Sequence, residues 1–106
     1  MVLSRPEPEL AILGFGKRDV AYDDGLPIPF EVRRRSGERV AVGQEMSILS
    51  LNDQHARVGI PGQVALGPGD LIGFHITHPC TTFDKWRLLP LVDDDCGVVG
   101  AVATYF

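Results

Sequence analysis

Cysteine is scarce in this 106-residue chain. Its two copies, Cys80 and Cys96, fall short of the framework that small secreted domains rely on, and no signal-peptide pattern opens the sequence. No apolar run approaches the roughly 20 residues of a membrane-spanning helix. A reduced, cytoplasmic chain with no membrane partner is the expectation. Positive charge is also short: 10 Lys and Arg against 14 Asp and Glu give a net charge of −4, which speaks against non-specific nucleic-acid binding. The one basic cluster, Arg33-Arg34-Arg35, has Glu31 and Glu38 close on either side. It reads as a solvated strand end in preference to a phosphate-binding patch. A sustained 3.6-residue apolar stripe is missing, and with it any long amphipathic helix. There is no Gly-rich phosphate loop, no G-x-S-x-G elbow and no arguable Ser/His/Asp set.

What is present is a hydrophobic fraction of 44%, a charged fraction of 23%, 12 glycines and 8 prolines. That is the composition of one ordinary globular domain with closely spaced chain breakers. Short strands are expected over residues 10–13, 30–34, 38–42, 45–51, 55–60, 71–78, 86–92 and 96–106. Ser36-Gly37 makes a hairpin turn, Pro90 confines its strand to an edge or a bulge, and residues 17–29 form an ordered loop. One helical turn is expected near residues 82–86, with Thr81 or Thr82 as its N-cap. Seven or eight short strands with Gly/Pro turns define an all-β fold, an antiparallel barrel or sandwich. Residues 1–9, broken by Pro6 and Pro8, show no hydrophobic approach to a first element. They read as a chain cut inside a larger protein, whereas residues 98–106 are strand-like to the end.

The segment Thr77-His78-Pro79-Cys80 places an imidazole and a thiol two residues apart at the end of an apolar run. In an extended chain Ile72, Phe74, Ile76, His78 and Cys80 share one face, so His78 and Cys80 can converge. Imidazole nitrogen and thiolate sulfur suit zinc, and two ligands leave positions open for water or substrate. The same spacing is met by a buried small thiol beside a hydrogen-bonded surface histidine, and spacing alone leaves both readings open. His75 points to the opposite face and reads as structural. His55 lies in a polar break between strands, either solvated or facing a substrate. Cys96 reads as a core or free thiol. Asp93-Asp94-Asp95 lacks the spaced ligands and glycine of a calcium loop and reads as a solvated turn.

The run Gly73-Phe74-His75-Ile76-Thr77-His78-Pro79-Cys80-Thr81-Thr82-Phe83-Asp84-Lys85-Trp86-Arg87 resembles the C-terminal domain of the D-serine dehydratase and D-threonine aldolase family. The likeness is strongest to its bacterial D-serine deaminase or amino-acid deaminase branch. Ser4-Arg5-Pro6-Glu7-Pro8, Ala11-Ile12-Leu13-Gly14-Phe15-Gly16-Lys17-Arg18-Asp19 and residues 51–55 and 92–106 fit the same domain, so the likeness covers nearly the whole chain in order.

The resemblance implies a pyridoxal-phosphate enzyme of the alanine-racemase-like group, in which residues 1–106 are the C-terminal β-domain. An N-terminal α/β barrel, absent from this chain, would hold the cofactor and its lysine. Lys17 and Lys85 lie outside any such anchoring motif. His78 and Cys80 match the family's His-x-Cys pair, which binds zinc or another divalent metal, where the aldolases carry His-x-Asp. His55 matches a histidine near the site and is the candidate catalytic residue of this chain. Leu13-Gly14-Phe15-Gly16 departs from the acidic residue usual in the aldolases at that strand. The implied reaction is loss of the α-proton of a D-β-hydroxy amino acid and metal-assisted expulsion of its β-hydroxyl, giving a keto acid and ammonia. The implied partners are the barrel domain, a small D-amino-acid substrate and a second subunit in a homodimer. The isolated chain is expected to be inactive. The alternatives are an aldolase-type lyase domain or a non-catalytic β-domain used for subunit association.

Overall fold

Nine strands and one helical turn follow one another along the chain, and the strands sort into three antiparallel sheets. The computed structural model describes residues 1–106. Strands β1 (Val2–Glu7), β2 (Leu10–Leu13), β5 (Ser47–Leu51) and β6 (Ala56–Gly59) form a four-stranded sheet in the order β1-β2-β6-β5. Strands β3 (Ile28–Arg33), β4 (Arg39–Ala41) and β7 (Leu71–His75) form a second, in the order β4-β3-β7. Strands β8 (Leu88–Val92) and β9 (Val98–Ala103) pair only with each other, and α1 (Pro79–Phe83) joins β7 to β8. The sheets do not close into a barrel. Of the two expected architectures, the sandwich-like one is realised.

Period-two alternation builds the core between the two larger sheets. Ala11 and Leu13 of β2, Ala56 and Val58 of β6, Val32 of β3 and Ile72 of β7 are buried in one continuous cluster. Met46 and Ile48 join it while Ser47 and Leu49 face out, as alternation requires. A register shift between Ile48 and Ser50 then turns Leu51 inward as well.

The N-terminal nine residues correct the expectation that nothing leads into a first element. Val2 is fully buried, its N–H donates to the Asp70 carbonyl (2.8 Å), and its carbonyl accepts from Gly69 N–H (2.9 Å). The Arg5 guanidinium donates to the carbonyls of Val64 (2.6 Å) and Leu66 (2.9 Å). Strand β1 is held by backbone bonds and one guanidinium, with a single buried side chain. Hydrophobic patterning does not register such a strand, and Pro6 is tolerated because β1 lies at a sheet edge.

The arginine cluster sits at a strand end, and two of its side chains are engaged by neighbouring turns. Arg33 Nη1 donates to the Asp94 carbonyl (2.9 Å) and to Cys96 Sγ (2.8 Å), Arg34 pairs with Glu38 (3.1 Å), and Arg35 N–H donates to Asp70 Oδ1 (2.9 Å). Asp93 Oδ1 accepts from the N–H groups of Asp95 and Gly97, so the aspartate run is a capped turn. Both cysteines are free and exposed. No helix is long and apolar enough to cross a membrane.

Residues 14–27 carry no strand or helix, yet they are fixed in place. Gly16 lies directly on the backbone of residues 52 and 53: a Cβ there would sit 2.3 Å from the Asn52 carbonyl oxygen. Lys17 and Arg18 N–H donate to the carbonyls of Asn52 (2.9 Å) and Asp53 (3.0 Å). Gly16→Ala is expected to lower unfolding stability by about 2–3 kcal/mol in urea titration, because backbone must move to admit the methyl. Gly14→Ala, whose Cβ would have the flexible Leu3 side chain as its nearest neighbour at 3.3 Å, is expected to cost clearly less.

Candidate functional site

Strand β7 ends at His75, whose Cα pairs with Ile28, and the chain leaves the sheet before it reaches His78. His78 is extended (φ −134°, ψ 92°) and is the N-cap of α1; Pro79 occupies the first helical turn, where its missing N–H costs nothing. Cys80 is therefore helical. The imidazole and the thiol lie on the two sides of a strand-to-helix junction, His78 extended and Cys80 in the first helical turn, and the expected common face of one strand stops at Phe74. His75 projects to the other side, as expected, and stacks on Phe30 with ring centroids 4.3 Å apart.

The helical turn begins three residues earlier than the sequence suggests, and neither Thr81 nor Thr82 caps it. Both hydroxyls are used to hold the 14–27 loop. Thr82 is 7% exposed and its Oγ1 accepts the Ala21 N–H at 2.8 Å. Thr81 Oγ1 donates to Asp23 Oδ1 at 2.9 Å. Thr77 Oγ1 donates to the Gly25 carbonyl at 2.8 Å, and Trp86 Nε1 donates to the Asp19 carbonyl at 2.7 Å. Gly25 sits at φ +101°, a conformation side chains resist, and it lets the loop turn back onto Thr77.

This docking brings the Asp23 carboxylate to His78: Nδ1 lies 2.7 Å from Asp23 Oδ2. The hydrogen bonds from His78 and Thr81 hold the Asp23 carboxyl below the usual carboxylate range. His78 Nε2 has no protein partner, and the Cys80 thiol is free and exposed. A shallow cavity of about 250 Å³ lies beside Asp23, lined by Tyr22, Asp23, Thr81, Asp84 and Lys85; neither His78 nor Cys80 lines it. His78 and Cys80 fit a divalent metal by donor chemistry, borderline nitrogen plus soft sulfur, and by the carboxylate behind the histidine, a common companion of metal-bound imidazole. No group of three or more His, Cys, Asp or Glu side chains is gathered anywhere to hold a metal.

His55 is exposed in the turn of residues 52–55 and lines an open depression of about 440 Å³ with Lys17, Asn52 and Asp53. No hydrogen bond joins it to His78 or Cys80. The two places are neighbours through the loop: Lys17 borders the His55 depression, and its Nζ lies 5.6 Å from the centroid of the Tyr22 ring, beside Asp23. Asp23 is the site residue that sequence reading missed. It lies 55 positions from His78 in an Asp-Asp-Gly turn, and no local pattern marks it as a partner.

Thr82→Val is expected to lower stability by about 1–3 kcal/mol, since the buried Ala21 N–H loses its acceptor, and Thr82→Ser is expected to restore most of it. Amide hydrogen exchange at Ala21 checks the cause: it accelerates in the valine variant only.

The family model described as "Putative serine dehydratase domain" matches residues 1–92, which span β1 through β8 and include Asp23, His55, His78 and Cys80. No curated protein matches the chain. A match over most of the sequence, on a fold of the expected class, places this chain in the serine dehydratase domain family.

Proposed function

We propose that this chain is the metal-bearing C-terminal β-domain of a pyridoxal-phosphate-dependent D-amino-acid dehydratase or deaminase, of the type that converts D-serine to pyruvate and ammonia. The family match supports the reaction class. The observation that carries the metal assignment is the state of His78: its Nδ1 is taken by Asp23 while Nε2 stays free, two residues from an exposed thiol. His78 and Cys80 would hold zinc or another divalent ion, and Cys80 favours the dehydratase reading over the aldolase alternative, whose resemblance calls for aspartate at that position. When bound, zinc supplies Lewis acidity toward a β-hydroxyl leaving group, and pyridoxal phosphate in a barrel domain supplies the electron sink for the α-carbanion. The residues of this chain position the hydroxyl end of the substrate; the cofactor lysine and the α-proton base belong to the proposed barrel. His55, exposed beside Lys17, is the proposed substrate-facing residue of this domain.

The partner part of the proposal rests on β8 and β9. Leu88, Leu91, Val92, Val98, Val99 and Val102 are all exposed, Val98 and Val99 by 70% and 68%. A free-standing ribbon with so much apolar surface supports docking against the barrel, in the same subunit or in the second subunit of a homodimer. The same surface favours the rival reading, a β-domain used for association only.

Metal analysis separates the two. Protein purified without added zinc is expected to carry close to one zinc per chain, and Cys80→Ala is expected to lose it. Zinc unaffected by that change rejects the ligand assignment. Affinity is also expected to fall as pH drops, because a thiol must lose its proton to bind. The isolated chain, given pyridoxal phosphate and D-serine, is expected to form neither pyruvate nor a Schiff-base absorbance; a specific adduct at Lys17 or Lys85 would overturn the division of labour.

A further inference from the structure

Asp23 stands behind His78, and its surroundings are more tightly built than its exposure suggests. Oδ2 meets His78 Nδ1 at 2.7 Å, while Oδ1 accepts the Thr81 hydroxyl at 2.9 Å, so both oxygens are engaged and the plane of the carboxylate is set. The loop cannot easily carry the group away. Two residues on, the Gly25 carbonyl is held by Thr77, and two residues back, the Ala21 N–H is held by the buried Thr82 hydroxyl. Four bonds thus tie residues 21–25 to residues 77–82, on either side of His78.

The chemical consequence lies in the tautomer. An ionised carboxylate has no proton to give, so the hydrogen of the His78–Asp23 bond resides on Nδ1. A neutral imidazole protonated at Nδ1 carries its lone pair at Nε2. We propose that Asp23, oriented by Thr81, is a positioning residue for the metal centre: it locks the His78 ring in the Nδ1–H tautomer and presents Nε2 as the ligating atom. This rests on the metal reading of His78 and Cys80, and adds to it the atom that binds and the residue that selects it. Asp23 touches no reacting group and acts only through His78.

Nitrogen-15 NMR of the His78 ring in metal-free protein, at a pH where the ring is neutral, reads the tautomer directly. The wild-type chain is expected to show Nδ1–H, and Asp23→Ala to shift to predominantly Nε2–H. Zinc competition against a chromophoric chelator is expected to show a 10- to 100-fold weaker affinity for Asp23→Ala, the loss typical of removing such a partner. Asp23→Asn keeps an acceptor for Nδ1–H and is expected to fall between the two; Thr81→Val is expected to weaken zinc by several-fold. A merely structural role for Asp23 would move unfolding and leave the tautomer alone. A wild-type His78 in the Nε2–H form, or an Asp23→Ala chain with unchanged tautomer and zinc affinity, overturns the proposal. If the tautomer is held as expected but zinc binds neither wild type nor variants, the metal reading itself fails and the proposal falls with it.

Discussion

An irregular loop held from two sides is the constraint on which this domain depends. On one side, Lys17 and Arg18 donate to the 52–53 backbone; on the other, Ala21 and Asp19 are tied to Thr82 and Trp86. Each bond is worth only about 0.5–1.5 kcal/mol net, less than or comparable to the entropy of ordering a single residue. Those bonds suffice because they come with burial: Ala21 is fully buried, and Gly16 packs so closely on the 52–53 segment that no larger residue fits. The loop thus transmits position without secondary structure of its own. It links the turn carrying His55 to the turn carrying His78, two segments that no sheet connects.

The remaining architecture is divided between a packed body and an uncovered arm. The accessible surface of 6656 Å² exceeds by about 800 Å² the roughly 5,800 Å² expected of a compact 11.6 kDa monomer. The arm adds to this surface, since β8 and β9 pair with nothing but each other and expose most of their apolar side chains. An isolated two-stranded ribbon is marginal in water. This one is pinned near its tip by Arg33, which reaches Asp94, Asp95 and Cys96, and at its base by Trp86, whose Nε1 donates to the Asp19 carbonyl (2.7 Å). Polar bonds fix the direction of the ribbon while its apolar faces stay open. That is a poor solution for a domain acting alone and a workable one for a domain that meets a partner.

How much of this was legible in the sequence depended on whether the signal was local. Alternation located β2 to its end residues, and it located the β3–β4 hairpin, the inward face of Met46 and Ile48, and the outward His75. The His-Pro-Cys-Thr-Thr-Phe-Asp-Lys-Trp run located the candidate ligands. What escaped was held by polar contacts between distant residues. Strand β1 is anchored through Arg5 and backbone groups, so apolar patterning passes over it. Thr81 and Thr82, natural capping residues, instead serve a loop some 60 positions away, and the helix starts at Pro79 with His78 as an uncapped N-terminus. Asp23 was hidden for the same reason: Asp-Asp-Gly reads as a turn, and only the tertiary fold reveals which side chain the turn presents.

Two donors on one chain set the terms for any metal they hold. A structural zinc site closes its tetrahedron with four protein ligands and contributes outright to folding. Here the body is built around an apolar cluster that does not include His78 or Cys80. Under the proposed metal reading, ordering His78 through Asp23 would serve the ligand geometry and not the core. A site preorganised in this way, yet short of ligands, binds best when water, substrate or a neighbouring domain completes it. Under the proposed function the exposed ribbon and the pair of donors belong to one design: association would cover β8 and β9, and it would bring up the groups that share the metal with His78 and Cys80.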